Sequence, residues 1–112
     1  MHAGDRPCTV QPLLVPEIVT LPKEIDLSNA PCVGRELASA IGAGARVVIA
    51  DMSITEFCDS SGIRQLLVAN DAAAKRGGEL RLVVRSAAVL KVLQLIGADK
   101  VLSIYGTMGD AL

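Results

Sequence analysis

Aromatic side chains are nearly absent from this 112-residue chain, which has one Phe, one Tyr and no Trp. Because 51% of the residues are nevertheless hydrophobic, any core must be built mainly from Leu, Val, Ile and Ala. Long apolar runs are absent too, since Arg46, Asp51, Arg64 and Arg81 interrupt the apolar segments before they reach the ~18 residues that a membrane helix requires. We therefore expect no insertion into a membrane.

The chain also lacks the clusters of residues that bind nucleic acid, metals or cofactors. Its 11 Lys and Arg residues and 12 Asp and Glu residues give a net charge of -1, and no basic block could follow a phosphate backbone. Cys8, Cys32 and Cys58 are far apart and form no Cys-x-x-Cys pair, which argues against a disulfide framework and a metal site. No Gly-x-x-x-x-Gly-Lys loop is present. We expect no cofactor, no metal and no direct contact with nucleic acid.

The start of the chain carries no basic segment followed by an apolar run, the pattern of a secretion signal. This favours a cytoplasmic protein. A chain of 112 residues is about one domain long, and the sequence contains no repeat or linker. We predict a flexible N-terminal tail at residues 1–6 and a single domain at residues 7–112.

Hydrophobic periodicity predicts alternating strands and helices. Residues 9–21 are interpreted as two short strands, or one strand with a break, because Pro12 and Pro16 exclude a continuous helix. Ser28 and Ser86 are predicted N-caps, and Gly97 is predicted to end the helix that Ser86 begins. The remaining predicted elements are strands at 46–51, 80–84 and 101–105, and helices at 28–41, from 60 to the glycine pair at 77–78, at 86–96 and, unless that end frays, at 107–112.

This alternation predicts an α/β fold with a largely parallel sheet and right-handed crossovers. The apolar, β-branched run at residues 46–51 is typical of a strand covered on both faces, and we predict that it is central. The opening strand pair would make the sheet mixed. We therefore expect one domain with a mixed, mostly parallel sheet of four to five strands and about four helices.

One loop, residues 51–62, joins the predicted central strand to the second helix and ends at a helix start. Asp59 occupies the N-cap position, and Ser60 and Ser61 lie in the first turn, where free N–H groups and the positive end of the helix dipole meet. These residues either act only as caps or carry a regulatory phosphate, because the first helical turn accepts an added anion without breaking the fold.

The segment 51–62, with its closing Asp-Ser-Ser-Gly-Ile, resembles the signature of the STAS domain family, specifically the bacterial anti-sigma factor antagonists. The similarity extends over nearly the whole chain. It includes Glu24-Ile25-Asp26 before the first helix, the junction at residues 75–80 and the helix at residues 86–97. The resemblance implies a STAS fold.

The resemblance also implies a function. In family members with this motif, a kinase-type anti-sigma factor that uses ATP phosphorylates the serine directly after the aspartate, which is Ser60 here. The unphosphorylated antagonist binds the anti-sigma factor and frees the sigma factor for transcription, for example under stress, and the phosphorylated form lets go. The implied partner-binding and phosphosite environment consists of Asp26, Cys58, Asp59, Ser61 and Gly62.

Three positions differ from the family pattern. Pro22 and Lys23 replace a tight glycine turn, so the loop near Asp26 is expected to be reshaped, and Cys58 replaces a bulky apolar residue. None of them removes the phosphate acceptor. They bear on which partner is bound and on whether Ser60 is still a kinase substrate.

Three other functions can be weighed against this one. Catalysis by Ser60 is not expected, because His2 is the only histidine and no Gly-x-Ser-x-Gly elbow is present. A STAS subunit or regulatory module of a membrane transport complex is the main alternative. Redox control through Cys58 is less favoured, because a buried thiol without a cationic neighbour is usually inert. The oligomeric state and the identity of the sigma factor stay open.

Overall fold

The computed structural model describes residues 15–112. Within them the chain forms short strands and helices that alternate along the sequence. The strands are β1 (Glu17–Thr20), β2 (Glu24–Ile25), β3 (Val47–Met52), β4 (Phe57–Cys58), β5 (Glu79–Val84) and β6 (Ser103–Tyr105). The α-helices are α1 (Ala30–Gly42), α2 (Ser60–Lys75), α3 (Ala87–Ile96) and α4 (Met108–Ala111), and a single 3-10 turn spans Ala98–Lys100.

Four of these strands form the main sheet in the order β1-β3-β5-β6, and all of its described pairings are parallel. Strand β3 is an inner strand, as the sequence predicted. Strands β2 and β4 form a separate two-stranded parallel pair. The predicted α/β fold with a mostly parallel sheet and four helices is confirmed. The strand predicted before Pro16, and the pairing that would make the sheet mixed, lie outside the described residues, as does the predicted tail.

The main core lies between one face of the sheet and the helices. Helices α1 and α2 bury their apolar stripes against β3 and β5, and each fully buried aliphatic side chain contributes about 1.5–3 kcal/mol. As the composition required, the largest fully buried side chains are aliphatic or methionine: Leu21, Ile25, Leu37, Ile49, Met52, Leu66, Leu80, Leu82, Leu93, Val48, Val83 and Val89.

The opposite face of the sheet is covered in part by the short helix α4. Ala111 packs on Ile49 and Val83, all of them buried. Arg81 holds this helix in place, because its Nη1 donates to the Ala111 carbonyl at 2.7 Å. The predicted C-terminal helix is therefore confirmed, with Thr107 as its N-cap.

Two of the predicted helix ends are confirmed and one is wrong. The Ser86 hydroxyl accepts a hydrogen bond from the Val89 N–H at 3.3 Å, and Gly97 ends α3 with a φ of 86°. Ser28, in contrast, is not the cap of α1. That helix begins at Ala30 after Asn29, because the Ser28 hydroxyl donates to the Asp26 carboxylate instead.

The last strand begins two residues later than predicted. Val101 and Leu102 donate their N–H groups to the Ala98 carbonyl at 3.1 and 2.9 Å. Both residues therefore belong to the turn after α3, and pairing with β5 starts only at Ser103.

Candidate functional site

The small β2–β4 pair carries the predicted site. Strand β4 leads directly into α2, and its partner β2 leads into the turn before α1. Ile25 pairs with Cys58, and the Asp59 N–H donates to the Ile25 carbonyl at 3.0 Å. This pairing places the turn that follows β2 beside the N-terminus of α2.

Asp59 caps α2, as its position in the sequence predicted. One carboxylate oxygen accepts from the N–H groups of Ser61 at 2.9 Å and Gly62 at 3.2 Å. The Ser61 hydroxyl donates to the same oxygen. This hydroxyl is the main reason that the pKa of Asp59 lies below its usual range, and the N–H groups of Gly62, Ser61 and Leu27 add to the effect. Asp59 is therefore a fixed negative charge at the helix start.

The two serines of the motif differ in their surroundings. Ser60 is the first residue of α2 and is exposed, and its hydroxyl makes no hydrogen bond to any other residue of the described part of the chain. The Ser61 side chain is half-buried, and its hydroxyl is held by Asp59. Of the two hydroxyls, the one on Ser60 is open to a partner.

Gly62 allows the first turn of α2 to pack on the small sheet. A β-carbon added at this position would lie 2.6 Å from Cγ2 of Ile25 and 2.7 Å from the sulfur of Cys58. Both distances are too short for any real side chain. Gly62 thus fixes how close α2 lies to β2 and β4, and with it the position of Ser60.

Cys58 is buried beneath the same turn. Burial raises the pKa of its thiol to about 12, and the negative charge of Asp59 adds to the shift. The thiol is therefore protonated at neutral pH. Since the thiolate is the reactive form, this environment favours a space-filling role over redox control.

Asp26 lies in the turn that follows β2. Its carboxylate accepts from the Ser28 N–H at 2.9 Å, and its own N–H donates to Oδ1 of Asn29 at 2.9 Å. Asn29 also donates to the Glu24 carbonyl at 2.8 Å, which closes the turn. The turn adjoins Asp59. The N–H of Leu27, which belongs to the turn, lies close enough to the Asp59 carboxyl to help lower its pKa.

Exposed apolar side chains that the sequence did not predict lie near this site. Leu27 in the turn after β2 is 76% exposed, and Phe57 in β4 is 51% exposed. Ile54, in the loop between β3 and β4, is 56% exposed and lines a cleft together with Asn29, which belongs to the turn of Asp26. The one Phe of the chain, two residues before the Asp59 cap, was the available signal. We call Leu27, Ile54 and Phe57 the apolar rim.

Within 15–112, no helix combines the length and the apolar character that are needed to cross a membrane. The same part of the chain brings together no group of three or more His, Cys, Asp or Glu side chains that could hold a metal ion.

The STAS domain family model matches residues 10–111, almost the whole chain. The chain therefore belongs to the STAS domain family. The resemblance that the Asp-Ser-Ser-Gly motif suggested is confirmed.

Several known proteins are similar to this chain in sequence or in structure. The chain is 24% identical over 95 residues to the anti-sigma-F factor antagonist RsfB of Mycobacterium tuberculosis. The alignment covers 85% of this chain and 77% of RsfB. It is 26% identical to an anti-sigma factor antagonist from Mycobacterium paratuberculosis, with a TM-score of 0.80 over 92% of this chain and 87% of that one. The antagonist SpoIIAA in its unphosphorylated form has a TM-score of 0.71 at 22% identity and covers 88% of each chain. The phosphorylated form of Bacillus SpoIIAA has a TM-score of 0.62 at 22% identity, over 84% and 85% of the two chains.

The fold is shared more widely. A sulfate transporter family protein from Wolinella succinogenes has a TM-score of 0.72 at 21% identity, over 92% of this chain and 86% of that one. At such identity the likeness concerns the fold alone.

Proposed function

We propose that this chain is an anti-sigma factor antagonist that acts in the cytoplasm. It binds a kinase-type anti-sigma factor through the surface around Ser60 and is released when Ser60 is phosphorylated. Release and rebinding regulate transcription that depends on a sigma factor. The observation that carries the proposal is the exposed Ser60 hydroxyl, which has no hydrogen-bond partner within residues 15–112 at the first turn of α2.

The named relatives support the antagonist role. RsfB and the protein from Mycobacterium paratuberculosis are both anti-sigma factor antagonists, and each aligns with more than four fifths of this chain. SpoIIAA has been solved with and without phosphate, so this fold tolerates the modification.

The surroundings of the two serines favour Ser60 as the phosphate acceptor. Phosphorylation of Ser61 would remove the hydroxyl proton that now bonds to Asp59 and place a dianion against that carboxylate. Ser60 has no such bond to lose. A phosphate there also meets the free N–H groups at the helix start, which favour an anion by roughly 0.3–1 kcal/mol.

The same phosphate would weaken a complex. It adds about -1.5 to -2 charges beside Asp59 and near Asp26. A docked partner would have to desolvate this charge or oppose it with its own. A hundredfold loss of affinity requires only about 2.7 kcal/mol, so the change can release the partner while the domain stays folded.

The apolar rim supplies the attractive part of the proposed contact. Large side chains that a partner covers give most of the binding energy in protein interfaces, and surrounding polar residues exclude water. Leu27 and Phe57 are both exposed and near Asp59. The Leu27 N–H acts on the Asp59 carboxyl, and Phe57 belongs to the strand that ends just before Asp59. Ser60 would thus sit within a contact whose affinity comes largely from its apolar neighbours.

The proposal is tested by incubating the protein with candidate anti-sigma kinases and ATP, followed by mass mapping of the modified residue. We expect one phosphate, on Ser60, and no modification of the Ser60→Ala variant. Ser61→Ala is the matched control and should still be modified. Phosphate on Ser61 alone, or tight binding by the phosphorylated chain, would contradict the proposal.

The fold likeness to the Wolinella transporter family protein keeps a second candidate, a STAS subunit or regulatory module of a transport complex. Affinity capture with the unphosphorylated chain separates the two. The antagonist role requires a small ATP-binding anti-sigma factor among the captured proteins, whereas the transport role requires a permease or its ATPase.

A further inference from the structure

A cleft lies at the other end of α2 from Ser60. This helix has 16 residues, so its ends are about 24 Å apart. At its C-terminal end, a cleft of about 320 Å³ opens between the ends of α1 and α2 and the starts of β3 and β5. The cleft shares no residue with the surface around Ser60.

The floor of the cleft is apolar. Ile41 of α1, Val48 of β3 and Ala73 of α2 line it, and all three side chains are buried. Gly44 and Gly77 stand at its edges in the left-handed region, with φ of 96° and 77°, and a β-carbon at either would meet no atom within 4 Å. The site is therefore open above an apolar floor.

Several carbonyls near the C-terminal ends of the two helices accept hydrogen bonds at this cleft. The N–H groups of Gly77 and Gly78 donate to the carbonyls of Ala74 and Ala73 at 3.0 and 2.9 Å. At the end of α1, the Gly44 N–H donates to the Ile41 carbonyl at 3.3 Å. These hydrogen bonds reduce the number of free carbonyls that would repel an anion at the helix ends.

The charges that line the cleft are net positive. Arg46 and Arg76 are both exposed, and neither forms an ion pair with another residue of the described part of the chain. The one carboxylate among the lining residues, Glu79, is held by Arg81, whose Nε and Nη2 bind its two oxygens at 3.1 and 3.2 Å. Within residues 15–112, neither arginine is therefore committed to a carboxylate, and both are available to a ligand.

The backbone fixes the two strands that form this end of the sheet. The Glu79 N–H donates to the Arg46 carbonyl at 2.9 Å, and a β-carbon on Gly78 would lie 2.8 Å from that oxygen. This close approach fixes the backbone of Arg46 relative to the C-terminal end of α2. Arg76 is the first residue after that helix. The two cationic residues thus flank one apolar floor in a fixed frame.

We propose that this cleft binds a small organic anion: a carboxylate on a compact apolar body. The planar guanidinium group matches a carboxylate with two parallel hydrogen bonds. The buried aliphatic floor suits a short branched or aromatic body, and the volume lies at the lower end of the roughly 300–1,000 Å³ of small-molecule sites. This inference does not depend on the proposed phosphorylation of Ser60.

The test is a titration of the ¹⁵N-labelled full chain with sodium benzoate, followed through its amide resonances. Gly44, Gly77 and Gly78 line the cleft and serve as reporters. We expect saturable shifts of these three resonances, and no such shifts with benzamide, which keeps the ring but lacks the charge. Arg46→Gln and Arg76→Gln should each weaken binding about tenfold, the scale of a lost charge-assisted hydrogen bond.

Arg64→Gln is the matched control, because Arg64 is an exposed arginine of α2 outside the cleft. It should bind benzoate as the unmodified chain does. Thermal melts of all three variants should agree, since the replaced side chains are exposed. Equal shifts with benzamide, unchanged affinity in both cleft variants, or shifts confined to the residues around Ser60 would each overturn the proposal.

Discussion

A β-carbon added to Gly62 would lie 2.7 Å from the sulfur of Cys58. Real β-carbons essentially never approach another heavy atom that closely, so the first turn of α2 rests on β4 with no room for a side chain. Ser60 begins that same turn. The exposure of its hydroxyl therefore depends on a packing contact two residues away.

Gly62→Ala tests this contact. We expect a loss of about 1–3 kcal/mol in the free energy of unfolding, because an added methyl group would displace Cys58 or Ile25 in a packed core. Urea unfolding followed by circular dichroism measures the change. Gly42→Ala is the control: a β-carbon there meets no atom within 4 Å, and alanine should leave stability equal or raise it by up to about 1 kcal/mol. Similar losses in both variants would contradict the packing argument.

Ser61→Ala should raise the pKa of Asp59. The Ser61 hydroxyl is the main cause of the lowered value, and the backbone N–H groups would hold only part of the shift. A carboxyl whose pKa is lowered in the folded state stabilises the protein above the ordinary carboxyl pKa of about 3.9. This stabilisation is lost as pH falls through the folded-state pKa. Ser61→Ala should therefore lose less stability than the unmodified chain in acid. Carboxyl ¹³C titration gives the pKa directly, and Ser60→Ala should leave it unchanged.

The success of the sequence predictions depended on how local each feature is. The Asp59 and Ser86 caps need only their own helix starts, and Gly97 needs only its positive φ, so all three could be read from spacing. The prediction that Ser28 caps α1 was wrong, because the Ser28 hydroxyl donates to the Asp26 carboxylate instead. The prediction that the last strand begins at Val101 was wrong, because the Val101 N–H donates to the Ala98 carbonyl.

The site was predicted in the same uneven way. The exposed Ser60 and the cap at Asp59 follow from the order of residues in the motif. The apolar rim does not, because the exposure of Phe57 depends on a two-residue strand pairing with β2. The cleft at the far end of α2 joins residues 41 to 79, and no short pattern contains both of its arginines.

Ser60→Glu should weaken binding to the anti-sigma factor, while Ser60→Ala should bind as tightly as the unmodified chain and stay bound in the presence of ATP. Glutamate supplies one negative charge where phosphate supplies about -1.5 to -2, so its effect should be the smaller of the two. Calorimetric titration with the purified anti-sigma factor measures both. Ser39→Glu, an exposed serine on α1, is the control for added charge. Equal affinities for Ser60→Glu and the unmodified chain would argue against an electrostatic release.

Leu27→Ala and Phe57→Ala should each weaken the same complex at least tenfold, since exposed large apolar side chains next to the site are expected to anchor the partner. Stability should change little for Leu27, which is 76% exposed. Leu95→Ala is a close control, because Leu95 on α3 is 77% exposed but outside the apolar rim. If Leu95→Ala weakened binding as much as Leu27→Ala, the partner would be docking on another surface.

Cys58 should resist alkylation in the folded chain. Its raised pKa of about 12 leaves almost no thiolate at neutral pH, and burial blocks access. Iodoacetamide applied to a Cys8→Ser, Cys32→Ser variant isolates this thiol, which should react only as fast as the chain unfolds.

The raised pKa of Cys58 also predicts how stability changes at alkaline pH. The thiol of the unfolded chain ionises above about pH 8.5, whereas the thiol of the folded chain stays protonated. The free energy of unfolding should therefore fall as pH rises from about 8.5 toward 12. Cys58→Ala should lack this fall. Alkylation at the rate of a free peptide thiol, or an identical alkaline profile in Cys58→Ala, would show that the sulfur is not sealed beneath the first turn of α2.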